Sequence, residues 1–244
     1  MSFNWNFAQM AEGTHMAEND ASALTAKTKL QTHELFVREN IQNSIDAAQI
    51  KGQKVKIVFR EHILIGERKK KFISLFGIEK LISRSKHINE TKQDDTGFLK
   101  DTNVAYSTYS DLTTPLRIIE VSDYFTTGLD GNWYNEFNGD SNFLKFIFKK
   151  GKGKGSARLL TGGSWGYGKS ANNLASKISA SLYYTKFKKG ADTNGHHTRL
   201  MGTAALCSHN FGSGDEQREY TGHVYGGFTI SDEEIKKKNY PFKT

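Results

Sequence analysis

The 244-residue chain is 36% hydrophobic and 12% aromatic and carries a formal net charge of +8, which provides for a sizeable core and favours acidic partners such as nucleotide phosphates, nucleic acid or an acidic protein. One cysteine, Cys207, excludes an internal disulfide and fits a reducing compartment. No run approaches the ~18 apolar residues of a membrane span, and the first residues lack the basic-then-apolar layout of a signal peptide, so the expectation is a cytoplasmic protein with no membrane partner.

Residues 1–25 are polar, small and acidic apart from Phe3, Trp5 and Phe7, and read as an N-terminal arm outside the core. A helix is predicted over about 27–49, ending at Lys51-Gly52, where the glycine can cap it. It contains RENIQNSIDA, residues 38–47, in which Glu39, Asn43 and Asp46 stand at spacings of four and three. On a helix those side chains fall within an arc of roughly 60°. Leu35, Ile41, Ile45 and Ala48 form a separate apolar stripe. Two carboxylates and a carboxamide on one face suit a Mg²⁺-nucleotide site, although such spacing taken alone is commoner on plain exposed helices. KVKIVFR, 54–60, alternates as a strand does and should pack on the helix.

Residues 61–114 read as peripheral: LFGIEKLISRSK has helical periodicity, but 86–114 is rich in Asp, Thr, Ser and Lys and looks like insertion or loop. After Pro115, LRIIEVSD is an apolar strand running into Asp123 and the turn-rich TTGLDG, and NFLKFIFKK, 142–150, looks like a short helix. The lysine-glycine run KGKGKGS reads as a loop. Beyond it come a glycine-rich turn, a helix, and strands in SLYYTKF, TRLMGTAALC and YTGHVYGGFTI. These elements make one domain over 26–244, consistent with the N-terminal part of a longer protein.

The turn GGSWGYGKSA satisfies two motifs. Gly163, Gly168, Lys169 and Ser170 fit G-x-x-x-x-G-K-[ST], the P-loop. That fold also needs a hydrophobic strand ending in an acidic residue downstream, and none of the strands after residue 171 carries one. The same residues, with Gly163, Gly166 and Gly168, fit G-x-x-G-x-G followed by a helix.

RENIQNSIDA, IIEVSDYFTTGLDG and GGSWGYGKSA, in this order over about 27–185, resemble the three motifs of the GHKL ATPases: DNA gyrase B, the heat-shock chaperone family, histidine kinases and MutL. Within that family they look most like bacterial MutL-like proteins of antiviral operons. The family's second motif usually reads D-x-G-x-G, whereas Asp123 is followed by Tyr124-Phe125-Thr126-Thr127 before Gly128, so the first glycine is missing and the turn is longer.

The resemblance implies an α/β two-layer sandwich, the Bergerat fold, with a mixed, mostly antiparallel sheet, and ATP and Mg²⁺ as cofactors. It makes Glu39 the general base and Asn43 the Mg²⁺ ligand, with Asp46 holding the helix or a water network near the base. Asp123 accepts from the adenine amino group, with Thr127 and Gly128 in the adjoining turn. Gly163, Gly166, Tyr167 and Gly168 form the lid over the phosphates, Lys169 contacts the γ-phosphate and Ser170 caps the next helix. Thr203, after Gly202, is the candidate for the fourth motif's threonine.

The implied function is a slowly hydrolysing, nucleotide-driven switch in antiphage defence. Its implied partners are ATP, a second copy reached by the aromatic arm when ATP binds, and an effector such as a nuclease or helicase. A nucleotide-sensing module without turnover and a P-loop NTPase are the alternatives. Nucleic acid stays open as a partner through lysines at 69–71, 149–154, 186–189 and 236–238, which as readily form a solvated surface. Cys207, His209, His196, His197 and His223 lack metal-ligand spacing and read as ordinary strand-face residues.

Overall fold

Antiparallel strands and the helices packed on them give the chain an α/β architecture. The computed structural model describes residues 3–10, 30–50, 52, 54–91, 93, 108–131, 141–147, 168–187, 198–229 and 242–243, the backbone alone at 168–170, 229 and 242–243. In chain order the elements are β1 Phe3–Gln9, α1 Thr32–Asp46, β2 Lys56–Leu64, α2 Gly66–Leu75, α3 Ile78–Glu90, β3 Leu116–Tyr124, α4 Asn142–Ile147, α5 Gly168–Ala175, β4 Ala180–Lys186, β5 Thr198–Ala205, β6 His209–Phe211, β7 Arg218–Thr229 and β8 Phe242–Lys243. The larger sheet runs β1-β7-β5-β4, with β6 and β8 also on β7, and β2 pairs with β3 in a second sheet. Every ladder among the described residues is antiparallel.

β3 and β4 share no ladder among the described residues, yet they come close at both ends. Leu116 and Ile118, at the start of β3, lie in one apolar cluster with Ile178 and Ala180, at the start of β4. Gly128, just past the end of β3, approaches Lys186 at the end of β4. The turn after Asp123 is thereby brought to the edge of the larger sheet.

Of the N-terminal arm expected over residues 1–25, Phe3–Gln9 form β1, which is a core strand and corrects the expectation there, while residues 11–25 lie outside the described residues. Phe3, Trp5 and Phe7 recur with period two, so one face of the strand is aromatic. Phe3 and Trp5 are only 2% and 6% exposed. Trp5 stands opposite Gly226, and Gly226 opposite Gly202, in one row across three strands. A Cβ on Gly202 would lie 2.5 Å from Trp5 Cη2, and one on Gly226 2.8 Å from Trp5 Cε3, so the two glycines leave the slot that the indole fills. Trp5 Nε1 donates to the Phe76 carbonyl at 2.8 Å, satisfying the one polar atom of the ring.

The segment expected to be peripheral, 61–114, also contributes to the core. Ile78, Leu81, Ile82, Ser85 and Ile88 recur at helical spacing along α3 and are all buried. Leu81 and Ile88 meet Phe3, Trp5, Leu206 and Val224, whereas Ile78 and Ile82 meet Ile73, Leu116 and Ile178. The helix expected across LFGIEKLISRSK breaks at Gly77, whose φ of 55° is left-handed, and the glycine begins α3. Lys69 of α2 is fully buried, and its ammonium donates to the carbonyls of Thr108, Asp111 and Thr114. That charge-assisted network closes the turn leading into β3. The polar residues 94–107 and the lysine-glycine run lie outside the described residues.

Candidate functional site

α1 is shorter than its sequence pattern indicates, starting at Thr32 and closing at Ala47 instead of at Gly52. Gln31 N donates to Glu34 Oε2 at 2.8 Å, one arm of a capping box at the first turn. The expected amphipathicity is inverted. Leu35 is buried, but Ile41 and Ile45 are exposed along with Val37, while Glu39 is only 8% exposed and Ser44 5%. The helix thus turns polar residues inward and three aliphatic side chains, spaced four apart, outward.

Along the polar face, Glu39 is buried, Asn43 half-buried and Asp46 exposed, so the carboxylates occupy different environments. Burial pushes the Glu39 carboxyl above its ordinary value, and the neighbouring Arg38 charge opposes this. Among the described residues neither Glu39 nor Asn43 makes a side-chain hydrogen bond, which leaves both with open donor or acceptor capacity. Asp46 Oδ1 accepts from Gln42 Nε2 at 3.0 Å, one turn back on its own helix.

The end of α1 is fastened to the turn after β3. Thr127 N donates to Ala47 O at 2.8 Å, and Gln49 N to Phe125 O at 3.1 Å, around a bridge between Ala48 and Thr126. Asp123, opposite Ile57 in the β2–β3 ladder, is exposed, and Thr126 Oγ1 donates to its Oδ1 at 3.3 Å. In place of the family's first glycine this turn has Phe125 with a φ of 66°, a left-handed conformation unusual for an aromatic residue.

Gly128, also left-handed at φ 70°, has a further constraint. A Cβ there would come within 2.6 Å of Lys186 O, so its glycine allows close approach to β4.

The third motif begins the helix α5. Gly168 is its first residue, so Ser170 lies inside the first turn instead of capping it, and of Lys169 and Ser170 only the backbone is described. Gly163, Gly166 and Tyr167 lie outside the described residues. α5 docks on α1 through Asn40 Nδ2, which donates to Asn172 Oδ1 at 2.7 Å. The segments carrying the second and third motifs therefore both attach to α1, which carries the first.

Several residues of this site were not singled out from the sequence. Thr185 Oγ1, buried on β4, accepts from Leu129 N at 2.9 Å, next to Gly128. Thr203, named from the sequence as the fourth-motif candidate, donates to Asn173 Oδ1 of α5 at 3.4 Å. Arg199 of β5, only 2% exposed, donates to Leu129 O at 2.9 Å and Gly131 O at 2.5 Å. Thr185 and Asn172 had no motif to mark them, but a lone arginine in the apolar run TRLMGTAALC is a signal that could have been read.

His209 is a satisfied core residue. Its Nδ1 bonds to Cys207 O at 2.9 Å, which leaves Nε2 to accept from Arg84 at 3.3 Å, and burial lowers its pKa to about 4. Among the described residues no group of three His, Cys, Asp or Glu side chains is placed to hold a metal ion, and no helix is long and apolar enough to cross a membrane. A Mg²⁺ bound with nucleotide phosphates needs only one or two protein ligands, a requirement Asn43 meets in kind. No protein family, curated protein or solved structure matches the chain.

Proposed function

We propose that this chain is a GHKL-type domain of the Bergerat fold that binds ATP with Mg²⁺ and hydrolyses it slowly as a conformational switch. The observation that carries the reading is Glu39. Glu39 is only 8% exposed, its carboxyl has no hydrogen-bond partner among the described residues and is held above its ordinary pKa by burial, and its helix turns Val37, Ile41 and Ile45 outward, an arrangement that suits a catalytic carboxylate. The attachment of α1 both to the turn after Asp123 and to α5 supports it further. The antiparallel succession of β4, β5 and β7 after α5 favours this reading over a P-loop NTPase, whose sheet is built of parallel strands.

On this reading Asn43 offers its carboxamide oxygen to Mg²⁺ and Asp123 accepts from the adenine amino group, beside Thr127 and Gly128. The same reading assigns the phosphates to the glycine-rich turn, Gly163, Gly166, Tyr167 and Gly168, with Lys169, Ser170 and the first amides of α5. Bound Mg²⁺ gathers the phosphates and neutralises their charge. Glu39 takes a proton from water at a carboxylate oxygen, and its raised pKa makes it a stronger base than a solvated glutamate. Burial of Phe3 and Trp5 within their own domain removes the aromatic arm as a means of reaching a second copy.

Calorimetric titration with ATP in Mg²⁺, alongside a phosphate-release assay, tests the proposal. Binding with slow release is expected. Binding without release would make the chain a nucleotide sensor, and failure to bind would overturn the proposal.

A further inference from the structure

The turn from Asp123 to Gly131 is strained where the family pattern has a glycine, at the left-handed Phe125, so other contacts must hold it in shape. On one side it is fixed by the Thr127–Ala47 backbone bond. On the other, Thr185 and Arg199 are direct cross-strand partners of β4 and β5, and both reach the same residue. Thr185 Oγ1 accepts from Leu129 N, while Arg199 donates to Leu129 O and Gly131 O, so both backbone groups of Leu129 are held by one side-chain pair. The guanidinium lies 4.6 Å from the Phe187 ring centroid and 5.0 Å from that of Phe143, which fixes its plane. Asp130 is anchored in turn: its carbonyl accepts from Phe143 N at 3.0 Å and its Oδ1 from Asn142 Nδ2 at 2.6 Å.

We infer that Thr185 and Arg199 are positioning residues for base recognition: by clamping Leu129 they set where Gly128 and Asp123 stand, and through them how strongly adenine is preferred over guanine. The inference rests on the ATP-site reading above. A lysine at position 199 keeps the charge but not the fork that engages two carbonyls at once. A valine at 185 keeps the shape of threonine and removes the acceptor for Leu129 N.

Affinities for ATP and GTP, measured by titration on the wild type and on Thr185→Val, Thr185→Ser and Arg199→Lys, separate positioning from general destabilisation. The wild type should prefer ATP. Thr185→Val should weaken ATP binding about tenfold with less effect on GTP, narrowing the preference, and Thr185→Ser should restore both. Arg199→Lys should narrow the preference likewise, and it carries the test if Thr185→Val does not fold. An unchanged ATP-to-GTP preference in a folded Thr185→Val or Arg199→Lys protein overturns this inference while leaving the ATP site standing. Failure of the wild type to bind ATP overturns the site itself, and the inference with it.

Discussion

Asn40 donates its carboxamide to Asn172 Oδ1 at 2.7 Å, tying the helix that holds Glu39 to the helix that begins at Gly168. Asn40 also donates to Phe36 O at 2.7 Å, and Asn172 Nδ2 to the Tyr183 hydroxyl at 3.4 Å, so the contact extends from α1 through α5 to the sheet. A double-mutant cycle of Asn40→Ala and Asn172→Ala, followed by urea denaturation, should show a coupling of about 0.5–1.5 kcal/mol. Additive effects would mean that the two side chains do not support one another.

Glu39→Ala should retain ATP affinity within a few-fold and lose turnover by about 10²-fold or more, the usual size of a general-base contribution. Turnover of the wild type should fall on the acid side at a pH above the ordinary glutamate value of 4.5, since the folded state raises this pKa and only the ionised form accepts a proton. An unchanged phosphate-release rate in the variant would reject the assignment.

The same shift has a consequence for stability. A carboxyl whose pKa is raised on folding is stabilising below its unfolded value and loses that contribution as pH rises through the folded value. Glu39→Gln should therefore raise Tm at neutral pH. The gain should vanish below pH 4.5, where Glu39 is itself protonated. Thermal unfolding at both pH values checks this, and a neutral-pH Tm lowered by the substitution would show that the ionised carboxylate stabilises the fold.

Asp123→Asn should weaken ATP binding by about 1–3 kcal/mol, because the amide replaces one acceptor oxygen with a donor. In a P-loop protein Asp123 would be unimportant and Lys169→Ala the crippling change. Titrating both variants distinguishes the two: retained binding in Asp123→Asn with loss in Lys169→Ala would reverse the choice.

Trp5→Ala should cost about 3–5 kcal/mol by denaturant unfolding, the usual range for a buried tryptophan. Gly226→Ala should cost about 1–3 kcal/mol through overpacking, because its new methyl would meet the Phe3 and Trp5 rings. If both variants unfolded like the wild type, β1 would be an accessory strand after all.

Local patterns determined much of this protein. The alternation of KVKIVFR and the apolar run LRIIEVSD marked β2 and β3, and the spacing of Glu39, Asn43 and Asp46 placed those three residues on one side of α1, since these signals depend only on local sequence and backbone periodicity. The alternation of Phe3, Trp5 and Phe7 was equally legible, but the polar composition around it obscured it, and only the glycine slot at Gly202 and Gly226 shows where those rings are buried. Tertiary structure alone decided which side of α1 faces inward, because aliphatic residues lie on one flank and polar ones on another and the segments packed against the helix select between them. It alone also brought Thr185 and Arg199 to Leu129, a contact made across more than fifty residues of chain that no local pattern can encode.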